Sequence, residues 1–148
     1  MKISMACDHG GYNLKEELKA WLAEKGHEIV DYGCQGRESC DYADFVEPAA
    51  RAVAEGTCER GIVLCTTGIG ASITANKVKG IRCALCADSL TAELTRLHND
   101  TNMLALGAGV VGENLAERIV DVFLSTEFCG ADRHARRVAL INELDQER

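Results

Sequence analysis

The sequence predicts an α/β fold in which a five-stranded parallel sheet is covered by helices on both faces. Short apolar runs, typical of buried strands, alternate along the chain with longer segments whose apolar residues recur at helical spacing. Helices that connect successive strands make those strands parallel and cover the sheet, which gives a three-layer, Rossmann-like arrangement. With 148 residues and no repeat or linker, residues 1–148 are expected to form a single domain.

The first half of the chain predicts two strand–helix pairs. In order, the elements are Lys2–Cys7, Asn13–Lys25, Glu28–Asp31 and Asp44–Glu55. Leu14, Leu18 and Leu22 define the apolar face of the first helix, and Gly26 ends it. Pro48 is compatible with the second helix only near its first turn.

The second half predicts three further strands and four helices. In order, the elements are Gly61–Cys65, Ala71–Lys77, Ile81–Ala87, Ser89–Asn99, Met103–Leu106, Glu113–Ser125 and Arg133–Glu147. Ser89 is a candidate N-cap for its helix. Ligands of such sheets bind beyond the carboxyl ends of the strands, so functional residues are expected directly after strands one, three, four and five.

Composition and charge exclude several classes of protein. The net charge is −7 and no basic stripe is present, which argues against a nucleic-acid partner. The apolar run Ile3–Cys7 is too short for a signal peptide or a membrane span, so a cytoplasmic protein with no membrane partner is expected. The eight cysteines are interpreted as reduced thiols, because the chain is large enough to form its own core.

A zinc site at the Cys83-x-x-Cys86 pair is disfavoured. No second cysteine pair or histidine pair completes a tetrahedral site. The pair also lies in a predicted strand, where the two side chains point to opposite faces. Core packing is therefore the preferred interpretation.

A glycine-containing loop follows the third predicted strand and opens a helix. It comprises Cys65, Thr66, Thr67, Gly68, Ile69, Gly70, Ala71 and Ser72. Glycines let the backbone turn its N–H groups toward an anion, although a purely structural turn explains the pattern as well. Cys65 lies at a strand end near amides and a helix N-terminus, which favours the thiolate. The alternative is a small buried apolar residue.

Three further motifs carry side chains suited to acid–base chemistry or anion binding. Asp8-His9 follows the first strand and suits phosphate binding or proton transfer, or else forms a turn that Asp8 caps. His98-Asn99 suits proton transfer and oxyanion stabilisation, or else ends a helix. Arg133 and Arg137 share one helix face and suit a phosphate clamp, or else are solvated.

Taken together, these motifs resemble the ribose-5-phosphate isomerase B family, which also includes galactose-6-phosphate and allose-6-phosphate isomerases. The resemblance covers essentially the whole chain. Its other matching segments are Asp41-Tyr42, Ala75-Asn76-Lys77 and Gly80-Ile81-Arg82. It implies an aldose–ketose isomerase of the pentose phosphate pathway that interconverts ribose 5-phosphate and ribulose 5-phosphate through a cis-enediolate, with Cys65 as the base.

The resemblance also implies roles for the other motifs. His98 opens the furanose ring, Thr67 relays a proton between O1 and O2, and Asn99 with the loop amides stabilises the enediolate. The residues implied to bind substrate are Asp8, His9, Thr66, Gly68, Ile69, Gly70, Ala71, Ser72, Arg133 and Arg137. No metal or organic cofactor is implied. A homodimer or homotetramer with active sites shared between subunits is expected.

Three positions depart from the family pattern. Thr66 stands where most relatives have Gly, Ala131-Asp132 precedes Arg133 where relatives usually have Gly, and Gly109 stands where many carry a phosphate-binding Arg. Another substrate on the same site therefore stays open: allose 6-phosphate, galactose 6-phosphate, or a free pentose or tetrose. A non-catalytic sugar-phosphate-binding protein is the alternative outside enzymology, but it would not need Cys65, Thr67, His98 and Asn99.

Overall fold

The computed structural model describes residues 1–147, and within them five strands form one parallel sheet. The strands are β1 (Lys2–Cys7), β2 (Glu28–Asp31), β3 (Arg60–Cys65), β4 (Cys83–Leu85) and β5 (Met103–Gly107), in the spatial order β2-β1-β3-β5-β4. Every neighbouring pair is parallel, which confirms the predicted α/β fold. The direction of strand addition reverses between β1 and β3, and in open sheets such a switch point leaves a crevice at the carboxyl ends.

The helices lie in two layers on the faces of the sheet. They are α1 (Tyr12–Glu24), α2 (Tyr42–Ala54), α3 (Ile69–Asn76), α4 (Ser89–Asn99), α5 (Glu113–Ser125) and α6 (Asp132–Glu143), with 3-10 turns at His9–Gly11 and Leu144–Glu147. One buried cluster joins the sheet to α1, α4 and α5, and a second joins its other face to α2 and α3. The three-layer prediction is thus confirmed.

Four local predictions are wrong. Because α2 begins at Tyr42, Pro48 lies inside the helix, and its exposed position lets water reach the carbonyl that loses a hydrogen bond. Asp88, not Ser89, caps α4, since Asp88 is extended and its carboxylate accepts from the Thr91 N–H at 2.7 Å. Strand β4 is shorter than predicted because it pairs with β5 over three residues only. The final helix passes into a 3-10 turn at Leu144.

The Cys83-x-x-Cys86 pair contributes to packing on both sides of the sheet. Cys86 belongs to the cluster beneath α1 and α5, whereas Cys83 packs against the cluster beneath α2 and α3. Among residues 1–147, no group of three or more His, Cys, Asp or Glu side chains is arranged to hold a metal ion. Over the same residues, no helix is both long and apolar enough to cross a bilayer.

A buried ion pair holds the end of β2 against α1. Lys15, which is 0% exposed, donates to both carboxylate oxygens of Asp31 at 2.7 and 2.9 Å and to the Cys34 carbonyl at 2.8 Å. Lys19 donates to the same carboxylate at 2.8 Å. Burial alone would raise the pKa of Asp31, but the hydrogen bonds from Lys15 and Lys19 outweigh it and lower that pKa.

We expect Lys15→Met to lower the free energy of unfolding by about 3 kcal/mol at pH 7, because removing one partner of a buried pair leaves a charge poorly compensated. The native-state pKa of Asp31 is depressed, so the pair stabilises the fold above the unfolded value of about 3.9 and loses this effect as the pH falls through the folded value. Urea titrations should therefore show the gap between wild type and Lys15→Met closing in acid. Lys19→Met is the control and should cost less than about 1 kcal/mol. A gap that stays constant down to the acid limit would contradict this account.

Candidate active site

A cavity opens at the carboxyl ends of β1 and β3, where the switch point of the sheet lies. Its volume is about 380 Å³, and it is lined by Asp8, Tyr42, Cys65, Thr66, Thr67, Ile69, Gly70 and Ile73. We refer to it as the Cys65 pocket. The two loops that the sequence singled out after β1 and β3 therefore meet, as parallel neighbouring strands require.

Cys65 is the last residue of β3 and only 4% exposed. Its sulfur accepts a hydrogen bond from the Gly68 N–H at 3.1 Å. Gly68 has φ 78°, and a Cβ there would lie 2.8 and 2.9 Å from the backbone of Leu106 and Gly107. The turn thus requires glycine. The Gly68 N–H is thereby held in contact with the Cys65 sulfur.

Other thiols of the chain are held in the neutral form. Burial raises the pKa of Cys7 to about 12 and also raises the pKa values of Cys58, Cys83 and Cys86. These side chains pack in the core or at its edge and behave as small apolar residues. Cys65 differs from them in its position, because it lines the Cys65 pocket beside a helix start and they do not.

The loop after Cys65 leads directly into α3. Thr67 Oγ1 accepts from the Ile69 N–H at 3.2 Å, so its hydroxyl lies at the helix N-terminus. Ala71 is buried in the core, and Ser72 donates to the Ile69 carbonyl at 2.8 Å. Of the predicted loop residues, Gly68, Ala71 and Ser72 are absent from the lining of the Cys65 pocket. The part of the loop that lines the pocket is therefore Thr66, Thr67, Ile69 and Gly70.

Asp8 and His9 occupy the turn after β1. Asp8 accepts from the Gly10 and Gly11 N–H groups at 3.0 and 3.2 Å, which confirms the predicted capping role and leaves its carboxylate on the pocket wall. His9 is exposed, and its Nδ1 accepts from the Cys40 N–H at 3.2 Å. The proton of the neutral ring is thereby assigned to Nε2, which can donate to a ligand.

His98 and Asn99 lie at the opposite end of the sheet, near the amino ends of the strands. They end α4, which starts after β4 and runs back to the beginning of β5. Eleven helical residues span about 16 Å. The Asn99 carbonyl accepts from Arg82 at 3.1 Å, and Asn99 lines a separate cavity of about 350 Å³. This motif therefore precedes β5 and does not directly follow a strand.

A basic cluster forms where α4 ends and α6 begins. It comprises His98, Arg133, His134 and Arg137, and the rings of His98 and His134 stack at 4.2 Å between centroids with an interplanar angle of 9°. Burial lowers the pKa of His134, assisted by the positive charge of His98, Arg133 and Arg137. Arg133 and Arg137 are exposed, and within residues 1–147 neither forms an ion pair, including with the neighbouring Asp132.

The structure places three further residues at the pocket or in the basic cluster, and the sequence had assigned no role to them. Tyr42 and Ile73 line the Cys65 pocket, and His134 stacks on His98. A Cβ at Gly70 would overlap the Tyr42 ring, so the close approach of α2 and α3 depends on this glycine. The Asp41-Tyr42 motif at the start of α2 was the feature of the sequence that pointed to Tyr42. The residue that Tyr42 contacts, Gly70, lies on α3 and could not be predicted from that motif.

A pocket of this kind, with a thiol that accepts a hydrogen bond from a backbone amide at a sheet switch point, suits proton abstraction next to a carbonyl. The chain matches the model of the Ribose/Galactose Isomerase family over residues 3–141. It is 46% identical over 147 residues to ribose-5-phosphate isomerase B of Escherichia coli (strain K12), covering 99% of this chain and 98% of that protein.

Two further similarities agree. The galactose-6-phosphate isomerase subunit LacB of Clostridium acetobutylicum is 38% identical over 144 residues, covering 97% of this chain and 83% of that one. The solved ribose-5-phosphate isomerase B of Clostridium thermocellum superposes with a TM-score of 0.97 at 53% identity, covering 99% of both chains. The protein is thus an enzyme, an aldose–ketose isomerase, and not a non-catalytic binding protein. It belongs to the ribose/galactose isomerase family, which confirms the resemblance.

Proposed function

We propose that the enzyme interconverts ribose 5-phosphate and ribulose 5-phosphate, with Cys65 as the base that moves the proton. The observation that carries the proposal is the hydrogen bond from the Gly68 N–H to the Cys65 sulfur inside an open pocket. Relatives named ribose-5-phosphate isomerase B support the choice of substrate.

The proposed reaction passes through a cis-enediolate. The Cys65 thiolate removes the proton from C2 of the open-chain aldose, and the electrons of the C–H bond move to the C1 carbonyl oxygen. Amides from Thr67 to Gly70, at the N-terminus of α3, stabilise the negative oxygen. Thr67 passes a proton between O2 and O1, and return of a proton from Cys65 to C1 gives the ketose.

Phosphate binding is assigned to His9, Arg133 and Arg137. Ring opening is assigned to His98, and Asn99 is assigned to the enediolate together with the loop amides. His98, Arg133 and Arg137 lie toward the amino ends of the strands, whereas Cys65 lies at the carboxyl end of β3. A single chain therefore does not bring these three residues to its own Cys65 pocket. We therefore propose a homodimer or homotetramer in which the basic cluster of one subunit completes the Cys65 pocket of another. Ile69 and Ile73 flank the pocket and are 52% and 55% exposed, which suits a partner surface.

Other sugars are also candidate substrates, because Gly109, two residues after β5, has no charged side chain to bind a phosphate. Allose 6-phosphate, galactose 6-phosphate and free pentoses or tetroses are the candidates, and a galactose-6-phosphate isomerase subunit is among the relatives. A charge-assisted hydrogen bond to phosphate contributes about 1.5–3 kcal/mol. Without one, binding of a phosphorylated sugar weakens by roughly ten- to a hundred-fold.

An isomerase assay over phosphorylated and free pentoses, tetroses and hexoses tests the proposal. We expect ribose 5-phosphate to give the highest kcat/KM and free ribose a lower one by at least about ten-fold, because the free sugar lacks the charged contacts. EDTA in the assay should not change the rate, since no step uses a metal. A Cys65→Ala preparation purified in the same way controls for contaminating host isomerase. A higher kcat/KM on another sugar would reassign the substrate.

A further inference from the structure

The side chain of Thr66 lies between two glycines at the mouth of the Cys65 pocket. A Cβ at Gly10 would overlap Thr66 Oγ1, and a Cβ at Gly109 would lie 3.1 Å from Thr66 Cγ2. The hydroxyl therefore faces Gly10 and the methyl faces Gly109. We call this space the Thr66 slot; it joins the loops that follow β1, β3 and β5.

The orientation of Thr66 is held from both sides. The Gly109 N–H donates to the Thr66 carbonyl at 2.8 Å, and the Ala108 N–H donates to the Cys65 carbonyl at 2.9 Å, so the backbone is tied to the loop after β5. A β-branched side chain has few χ1 rotamers, and the two glycine backbones leave little space for another. Thr66 thus presents a defined surface next to the reacting sulfur.

The Thr66 hydroxyl remains available to a ligand. Within residues 1–147 it forms no hydrogen bond, and the residue is exposed. The neighbouring hydroxyls differ, because Thr67 accepts from Ile69 and Ser72 donates to the carbonyl of Ile69. A free hydroxyl on a held side chain, one residue from the base, is suited to recognising a substrate group.

The charges around the slot favour a neutral partner for this hydroxyl. Asp8 lines the same pocket, and neither Lys nor Arg is among the residues that this chain contributes to its wall. A phosphate beside Asp8 would meet a like charge, whereas a sugar hydroxyl would not. The cations for the phosphate come instead from the basic cluster. That cluster is proposed to reach the Cys65 pocket from a partner subunit, on a side of the pocket away from Thr66.

We propose that Thr66 is a specificity-determining residue that hydrogen-bonds a hydroxyl group of the sugar chain beside the reacting carbons, and not the phosphate. This inference rests on the proposed function, since it takes a polyhydroxy sugar as the ligand of the Cys65 pocket. It also makes Thr66 and Gly109 a matched pair, because the Thr66 methyl occupies the space next to Gly109.

Isosteric variants at position 66 test the hydroxyl. Thr66→Val keeps the shape of the slot and should lower kcat/KM for ribose 5-phosphate by about 2- to 12-fold, the range for one neutral hydrogen bond. The inhibition constant of inorganic phosphate should stay within about two-fold, because the phosphate contacts are intact. Thr66→Ser keeps the hydroxyl but loses the methyl that orients it, so its kcat/KM should lie between those of wild type and Thr66→Val. Unchanged kcat/KM in Thr66→Val, an equal loss in Thr66→Ser, or a weakened phosphate inhibition would each overturn the proposal.

A double-mutant cycle tests the slot by a route independent of substrate. Gly10→Ala should lower the Tm by about 3 °C or more when Thr66 is present, because its Cβ overlaps Oγ1, and should be tolerated in Thr66→Gly. Additive effects would refute the slot. If the panel assay identifies another sugar as the substrate, the position-66 variants are compared on that sugar, so failure of the ribose 5-phosphate assignment and failure of this inference give different results.

Discussion

Replacing Cys65 with Ala should lower kcat by about 10²- to 10⁴-fold and leave KM within a few-fold. General-base catalysis contributes about this much, and the thiolate acts mainly in the transition state, so substrate binding should survive. The readout is exchange of the C2 proton with solvent, followed by NMR, together with steady-state kinetics. Cys65→Ser tests the same point, because a hydroxyl stays protonated at neutral pH and is a poor base.

Cys129 offers a matched control for this experiment. It is an exposed free thiol outside the Cys65 pocket, so Cys129→Ala should retain wild-type activity. Iodoacetamide should inactivate wild type and Cys129→Ala alike, and substrate should slow the inactivation by covering Cys65. Appreciable turnover by Cys65→Ala would remove this residue from the mechanism.

Cys65→Ala and His98→Asn should each be inactive alone, and activity should return when the two variants form mixed oligomers. Cys65→Ala carries the defect in the pocket and His98→Asn carries it in the basic cluster. If each site takes its pocket from one chain and its cluster from another, a mixed dimer contains one doubly defective site and one intact site. Random mixing at equal amounts makes half of the dimers mixed, so the expected activity is about a quarter of wild type.

The control for complementation combines two defects in the same half of the site. Cys65→Ala mixed with Cys65→Ser should stay inactive, because every pocket is then defective. Native mass spectrometry measures whether mixed oligomers form. Mixed oligomers of Cys65→Ala and His98→Asn without recovered activity would contradict a shared site, as would a monomeric active enzyme.

The sequence predicts helices best where strong end signals bound them. The bounds of α4 and α5 agree with the prediction, because α4 follows the capping residue Asp88 and α5 follows Gly112. Pro48 misled the prediction of α2, because whether a proline is tolerated depends on the exposure of the preceding turn, which is a tertiary property. The length of β4 likewise depends on how far its partner β5 extends beside it.

The arrangement around the Cys65 sulfur follows from local sequence. Cys65, Gly68 and the start of α3 lie within five residues, so a strand end, one left-handed glycine and a helix start suffice to direct an N–H at the thiol. Short-range geometry of this kind depends on backbone conformations that residue types favour, and the sequence therefore predicts it.

The tertiary structure alone decided which distant residues meet. Thr66 reaches Gly10 and Gly109 because β1, β3 and β5 are neighbours, and the order of strands depends on packing over the whole sheet. His98 stacks on His134 and lies away from Cys65 because α4 runs antiparallel to the strands. Contacts between residues far apart in the chain carry a large closure entropy and form only when the complete core compensates for it. Spacing along the sequence indicates which residue types are present, and the fold decides which of them share a site.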